Sequence, residues 1–92
     1  MTKKDLADRI AENTDITEHQ ARRLVQVVLD CITEALVEGK TLEFRDFGVF
    51  KTKIRKARLG RNPKAGTVVQ VPERRVVVFK PGKELKERIR AL

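Results

Sequence analysis

The sequence predicts an α+β fold: a helical N-terminal half, then a small antiparallel sheet that extends into a long basic β-ribbon. Three observations predict it. Apolar residues recur with a 3.6-residue period as far as residue 37. From residue 41 to residue 79 the pattern changes to alternation and β-branched runs. The charge divides at the same place. Residues 1–47 hold seven Lys/Arg against ten Asp/Glu, a net −3, whereas residues 48–92 hold fourteen against three, a net +11. Cations collected in one half form a footprint for a polyanion, for which nucleic acid is the first candidate.

Thr2 is placed to cap a first helix, with Asp5 three residues on to close a capping box. Leu6, Ala7, Ile10 and Ala11 then share one face of a helix that ends near Asn13. Thr17 and Gln20 repeat the box, and Ile16 stands as the outer half of a hydrophobic staple to Ala21. The second helix carries Ala21, Leu24, Val25, Val28, Leu29, Ile32, Ala35 and Leu36 at helical spacing, and Val27, Cys31 and Val37 widen that surface beyond one stripe. Such a helix needs two partners. The first helix covers one side, and a second copy of the chain is the simplest cover for the other. A chain of 92 residues is one domain and buries only roughly 60% of its unfolded surface, which points the same way. Gly39 suits the left-handed stop after the helix.

Thr41–Arg45 alternates and reads as a strand, Asp46-Phe47-Gly48 as a turn, and Val49-Phe50 as the start of the next strand. Phe44, Phe47, Phe50 and Phe79 are the only aromatics and are expected to gather in the core. From Lys51 to Lys64 there are seven cations, no acid, and Ile54, Ala57 and Leu59 as the only apolar residues. The ten residues to Gly60 span about 33 Å if extended. The radius of gyration for this length is roughly 12 Å, so the segment is expected to project as an arm. Gly60-Arg61-Asn62-Pro63-Lys64-Ala65-Gly66 is its tip, because Pro63 and the two glycines set a turn. Pro63 either only shapes that turn or also presents a rigid apolar wedge able to enter between base steps; the basic strands beside it favour the wedge. Thr67–Val71 returns, Pro72 interrupts or edges the pairing, and Val76–Phe79 reads as a fully buried strand. An isolated ribbon is marginal in water, so residues 55–72 are expected to be mobile without a ligand. Lys80-Pro81-Gly82-Lys83 leads into a last helix with Leu85, Ile89 and Leu92 on its apolar side; its start reads either as a phosphate-holding N-terminus or as a plain helix start with solvated lysines.

No constellation for catalysis is present. The single His19 and single Cys31 make neither a metal site nor an acid–base pair, and the acids lie mostly away from the arm; no cofactor, metal or catalytic residue is expected. One cysteine excludes an internal disulfide and fits a reducing compartment. No apolar run reaches membrane-span length, and the N-terminus lacks a signal-peptide core, so the expected location is cytoplasmic. An RNA- or ribosome-associated protein and an anionic-surface binder remain rivals. The arm lacks the aromatics on which single-strand readers stack bases, and no helix sets a basic face against a bulky apolar one.

The basic run Lys51–Lys64, the tip Gly60-Arg61-Asn62-Pro63-Lys64-x-Gly66, the turn Phe47-Gly48-x-Phe50 and the segment Phe79-Lys80-Pro81-Gly82-Lys83-x-Leu85 together resemble the HU/IHF family of bacterial histone-like DNA-binding proteins. The resemblance covers essentially the whole chain. It implies an intertwined dimer with residues 1–39 as a helical dimerisation body, 40–80 as the sheet and DNA-binding arm with its tip at 60–66, and 81–92 as a C-terminal helix. It also implies an architectural protein of the nucleoid that bends and compacts double-stranded DNA with little sequence specificity, its arms in the minor groove. The partner chain is expected to be identical, or a related chain in a heterodimer. By position Pro63 is similar to the intercalating proline, Arg55, Arg58, Arg61, Asn62 and Lys64 to arm contacts, and Lys3, Lys80, Lys83 and Lys86 to flank contacts. The other cations of the same strands, Lys51, Lys53, Lys56, Arg74 and Arg75, complete the candidate DNA-binding set. Asp46 and Ala65 stand where the family usually has Gly and Thr.

Overall fold

Helix α1, Lys3–Asn13, starts where its capping chemistry places it. The Asp5 amide donates to Thr2 Oγ1 at 3.3 Å, and the Thr2 amide donates to Asp5 Oδ2 at 2.8 Å. The backbone bond from Thr2, followed by the bond from its hydroxyl, holds the Asp5 carboxyl below the usual carboxylate range. Helix α2, Glu18–Val37, repeats the device: Gln20 N donates to Thr17 Oγ1 at 3.1 Å, and Thr17 N to Gln20 Oε1 at 3.0 Å. Gly39, just past its end, takes φ +80°.

The structure, a computed structural model, describes residues 1–62 and 66–92; the side chains of Arg61, Asn62 and Thr67 are outside that description. It divides into two units, residues 1–38 and 39–92. In the first, α1 meets α2 through Ala7 and Ala21, both fully buried, and Val25. Alanines at the contact let the two backbones approach, and Ile10, Ala11 and Ile16 pack around them. Leu24, Val27, Val28 and Leu29 remain exposed, so α1 covers only part of the apolar surface of α2.

The second unit contains β1 Leu42–Phe44, β2 Gly48–Arg55, β3 Arg58–Asn62, β4 Thr67–Val71, β5 Arg74–Pro81 and helix α3 Lys83–Arg90. One antiparallel sheet has the order β1-β2-β5, and β3 with β4 forms a separate two-stranded ribbon. The expected uninterrupted strand from Lys51 to Gly60 is therefore two strands, broken at Lys56–Ala57. Its first part pairs with β5 (Phe50 with Phe79, Arg55 with Arg74), and only its second part pairs with β4 (Arg58 with Val71). Pro72, without an N–H, stands opposite that break, between β4 and β5.

Three other expectations are corrected. Val76–Phe79 is not fully buried: along β5 the residues alternate between faces, Val76 and Val78 are half-buried, and Val77 is 62% exposed. Pro81 ends β5 rather than opening α3, whose N-cap is Gly82. Leu92 lies beyond α3 and is exposed. The four phenylalanines do gather, with ring centroids of Phe50 and Phe79 at 4.6 Å and of Phe47 and Phe79 at 5.4 Å. The cluster is open, however: Phe44, Phe47 and Phe79 each keep more than a third of their surface.

The turn beneath this cluster explains how Asp46 is accommodated. Asp46 sits at φ +67°, a left-handed position that Asp tolerates better than most residues. Phe47 N donates to Phe44 O at 3.0 Å, and Gly82 N to Phe47 O at 2.8 Å, tying the turn to the start of α3. A Cβ on Gly48 would lie 2.5 Å from the Lys80 carbonyl oxygen and 2.6 Å from the Phe79 ring. Gly48→Ala is expected to destabilise the protein by about 1–3 kcal/mol, as overpacked sites do, read as a lower denaturant midpoint in urea.

Candidate nucleic-acid interface

Strand alternation sorts the sheet by chemistry. In register, Lys51 faces Val78, Lys53 faces Val76, and Arg55 faces Arg74, all on one side, with Val49 opposite Lys80. Phe50, Thr52 and Ile54 face Phe79, Val77 and Arg75 on the other side. The first face thus collects Lys51, Lys53, Arg55, Arg74 and Lys80 over a valine floor, while the second carries the phenylalanines. Lys53, Arg55, Arg74 and Lys80 are exposed and Lys51 is half-buried. Arg75 alone among the expected cations of these two strands falls on the aromatic face.

Beyond the break, the ribbon continues the positive charge. Lys56 and Arg58 are exposed, and so are the apolar Leu59, Val68 and Val69, at 75%, 61% and 47%. A ribbon with its apolar side chains in solvent is not folded onto a core; a long groove or backbone is its natural complement. Pro63 and Lys64, expected at the tip, and Ala65 lie outside the described residues, as do the side chains of Arg61 and Asn62. At the base, Lys83 is exposed at the first turn of α3 and approaches Glu87 at 4.0 Å, an exposed i,i+4 pair of little energetic weight. Lys86 is exposed on the same helix.

In the helical unit, Lys3 Nζ donates to Gln26 Oε1 at 2.8 Å, and Gln26 Nε2 donates to Asp30 Oδ1 at 2.8 Å. The direct partner of Lys3 is a neutral amide, so its charge is positioned without being cancelled. Lys3, Lys4, Arg22 and Gln26 line a cavity of about 270 Å³. Lys4 and Arg22 were not anticipated from the sequence; the signal was Arg22 four residues before Gln26, on the helix face that receives Lys3.

Among the described residues no group of three or more His, Cys, Asp or Glu is placed to hold a metal. Among them, too, no helix is long and apolar enough to cross a membrane.

A sheet with one cationic face, prolonged by an exposed basic ribbon, defines a binding protein for an extended polyanion. The family model of the bacterial DNA-binding proteins matches residues 1–90. The integration host factor subunit beta of Herminiimonas arsenicoxydans is 45% identical over all of this chain and 92% of its own length. The probable DNA-binding protein HU of Chlamydia trachomatis is 47% identical over 97% of this chain and 90% of its own. Among solved structures, Anabaena HU in a cocrystal with DNA superposes with a TM-score of 0.88 at 37% identity, covering 97% of each chain. A mutant of HU from Thermotoga maritima gives 0.71 at 29% identity, covering 97% of this chain and 99% of its own. The chain belongs to the bacterial DNA-binding protein family of HU and integration host factor, whose members are architectural DNA-binding proteins and not enzymes.

Lys53→Ala, on the cationic face, is expected to weaken duplex binding alike for unrelated sequences. It should also lower the slope of log affinity against log salt by about one, measured by fluorescence anisotropy across a salt series.

Proposed function

We propose that this protein bends and compacts double-stranded DNA as a dimer, with little sequence specificity, in the bacterial nucleoid. The observation that carries the reading is the continuous run of cations from the sheet face at Lys51, Lys53 and Arg55 into the ribbon at Lys56 and Arg58. These groups neutralise phosphates and release counterions, which gives affinity without reading bases. Arg61, Asn62 and Lys64 extend the contacts towards the tip, Arg74 and Arg75 flank the base of the arm, and Lys3, Lys80, Lys83 and Lys86 hold the outlying duplex. Anabaena HU, crystallised with DNA, supports the choice of partner. The family supports the minor groove as the place of the arms and Pro63 as the wedge that kinks the duplex.

The roles divide along the chain. Residues 1–39 form the dimerisation body, 40–80 the sheet and arm with its tip at 60–66, and 81–92 the closing segment that contains α3. Two open apolar surfaces support the dimer: Leu24, Val28 and Leu29 on α2, and the phenylalanine face of the sheet. Oily surface of this extent is covered in a stable protein, and a second copy, or a closely related chain, is the simplest cover.

Pro63→Ala is expected to reduce duplex bending, read by ring closure of short DNA fragments, while lowering affinity at most a few-fold. Arg58→Ala should lower affinity and flatten its salt dependence. Unchanged ring closure by the Pro63 variant would remove the wedge from the mechanism.

A further inference from the structure

We propose that a self-complementary stripe on α2, formed by Arg23, Val27, Cys31 and Glu34, joins one dimer to another, so that dimers held on the same DNA cluster. The proposal deepens the compaction reading and rests on its dimer.

The stripe is separate from the surface already given to the partner chain. Successive residues of a helix are turned by about 100°. Going round α2 from its contact with α1 at Ala21 and Val25, Leu24 and Val28 come first. Val27 and Cys31 follow about 60° further round, by the same helical spacing. Arg23 and Glu34 lie just beyond them. Val27 is 47% exposed, and Cys31, Arg23 and Glu34 are exposed as well. Leu24 and Val28 belong to the dimer surface; the stripe beyond them needs a different cover.

Its order along the helix is that of a cation, two apolar residues and an anion, and it is symmetric. The midpoint of Arg23 and Glu34 falls between Val28 and Leu29, and that of Val27 and Cys31 falls at Leu29. At a rise of 1.5 Å per residue the two centres differ by less than about 1 Å. A two-fold axis through this point lays a second α2 antiparallel to the first. Val27 then meets the partner's Cys31, Arg23 meets the partner's Glu34, and each contact is made twice. Arg23 and Glu34 stand about 8 Å from the centre, so a helix crossing of about 20° parts their backbones by only about 3 Å more. Side chains of this length span that.

The charges are free for this use. Among the described residues neither Arg23 nor Glu34 forms an ion pair. Asp30, the other acid along that edge, accepts from Gln26 Nε2 instead. Glu34 stands in the last turn of α2, where the helix end is negative and a carboxylate is disfavoured. A guanidinium from a second copy offsets both defects. An exposed ion pair strengthens association only about two- to five-fold, so free dimers meet weakly through this contact. Dimers bound to one duplex face each other at an effective concentration that reaches the millimolar range, and there a weak contact is occupied. The occupant is a second copy of this chain, because the charge order matches itself.

The test exchanges the charges in the full-length protein. The variants are Arg23→Glu, Glu34→Arg and the double exchange Arg23→Glu/Glu34→Arg, with circular dichroism to verify equal helix content. Fluorescence anisotropy follows their binding to a duplex that holds one dimer and to a longer one that holds several. On the short duplex affinity should simply follow net charge, lowest for Arg23→Glu and highest for Glu34→Arg. On the long duplex the wild type should bind cooperatively, a second dimer several-fold more tightly than the first. Both single variants should lose that cooperativity, although their net charges change in opposite directions. The double exchange should regain it, and so should an equal mixture of the two single variants, whose stripes complement each other. The proposal is overturned if the wild type binds the long duplex without cooperativity. It is overturned equally if either single variant keeps the cooperativity, or if neither the double exchange nor the mixture regains it; the stripe then serves another protein or none. Should the short duplex not bind at all, the DNA-binding reading falls. Sedimentation at high protein concentration then decides the stripe, with masses above two chains expected for the wild type and the double exchange and not for either single variant.

Discussion

A side chain on a β-strand faces one side of the sheet or the other, and along β2 and β5 that rule separates charge from oil. Lys51, Lys53 and Arg55 take one side, and Phe50, Thr52 and Ile54 the other. A shift of one residue in register would bury the cations and expose the rings. Both faces owe their character to this register. The turn at Asp46–Phe47, the close approach of Gly48 to Lys80 and the bond from Gly82 to the Phe47 carbonyl all hold it at one end. The Phe50–Phe79 stack, centred at 4.6 Å, holds it from within.

The two faces have different destinations. Among the described residues the cations of the first face form no ion pair, although Glu43 stands on that face opposite Val49, and the face suits phosphate; the aromatic face is only partly covered by its own chain and suits protein. A chain of this size has too little interior to close both surfaces itself. Division of labour between one face for DNA and one for a second copy resolves the difficulty without any further domain. Beyond the sheet, the arm gives up core altogether: Leu59 and Val68 lie in solvent, and only the β3–β4 ladder orders it. Such an element is tolerated because its cations gain their partner outside the molecule.

Much of the fold was legible because the governing interactions are local. Thr2–Asp5 and Thr17–Gln20 are four-residue signals, and both helices begin where those signals place them. Gly39 and the turn at residues 46–48 are backbone signals of the same kind. What the sequence hid is non-local. Nothing within Lys51–Gly60 marks Lys56–Ala57 as a break, since its cause includes Pro72, between β4 and β5, and repulsion from Arg74 across the pair. The apolar run Val76–Phe79 suggested burial on both faces, yet its neighbours cover each face only in part. At the interface, the cations of the arm were evident from composition, whereas Lys4 and Arg22 join Lys3 only once α1 and α2 pack together.

The measurement that bears most directly on this account is sedimentation equilibrium of the intact protein, alone and with a short duplex. The open aromatic face and the exposed side of α2 predict a mass of two chains in the absence of DNA and two chains per duplex in its presence. A single-chain mass at micromolar concentration, carried unchanged onto the duplex, would contradict it.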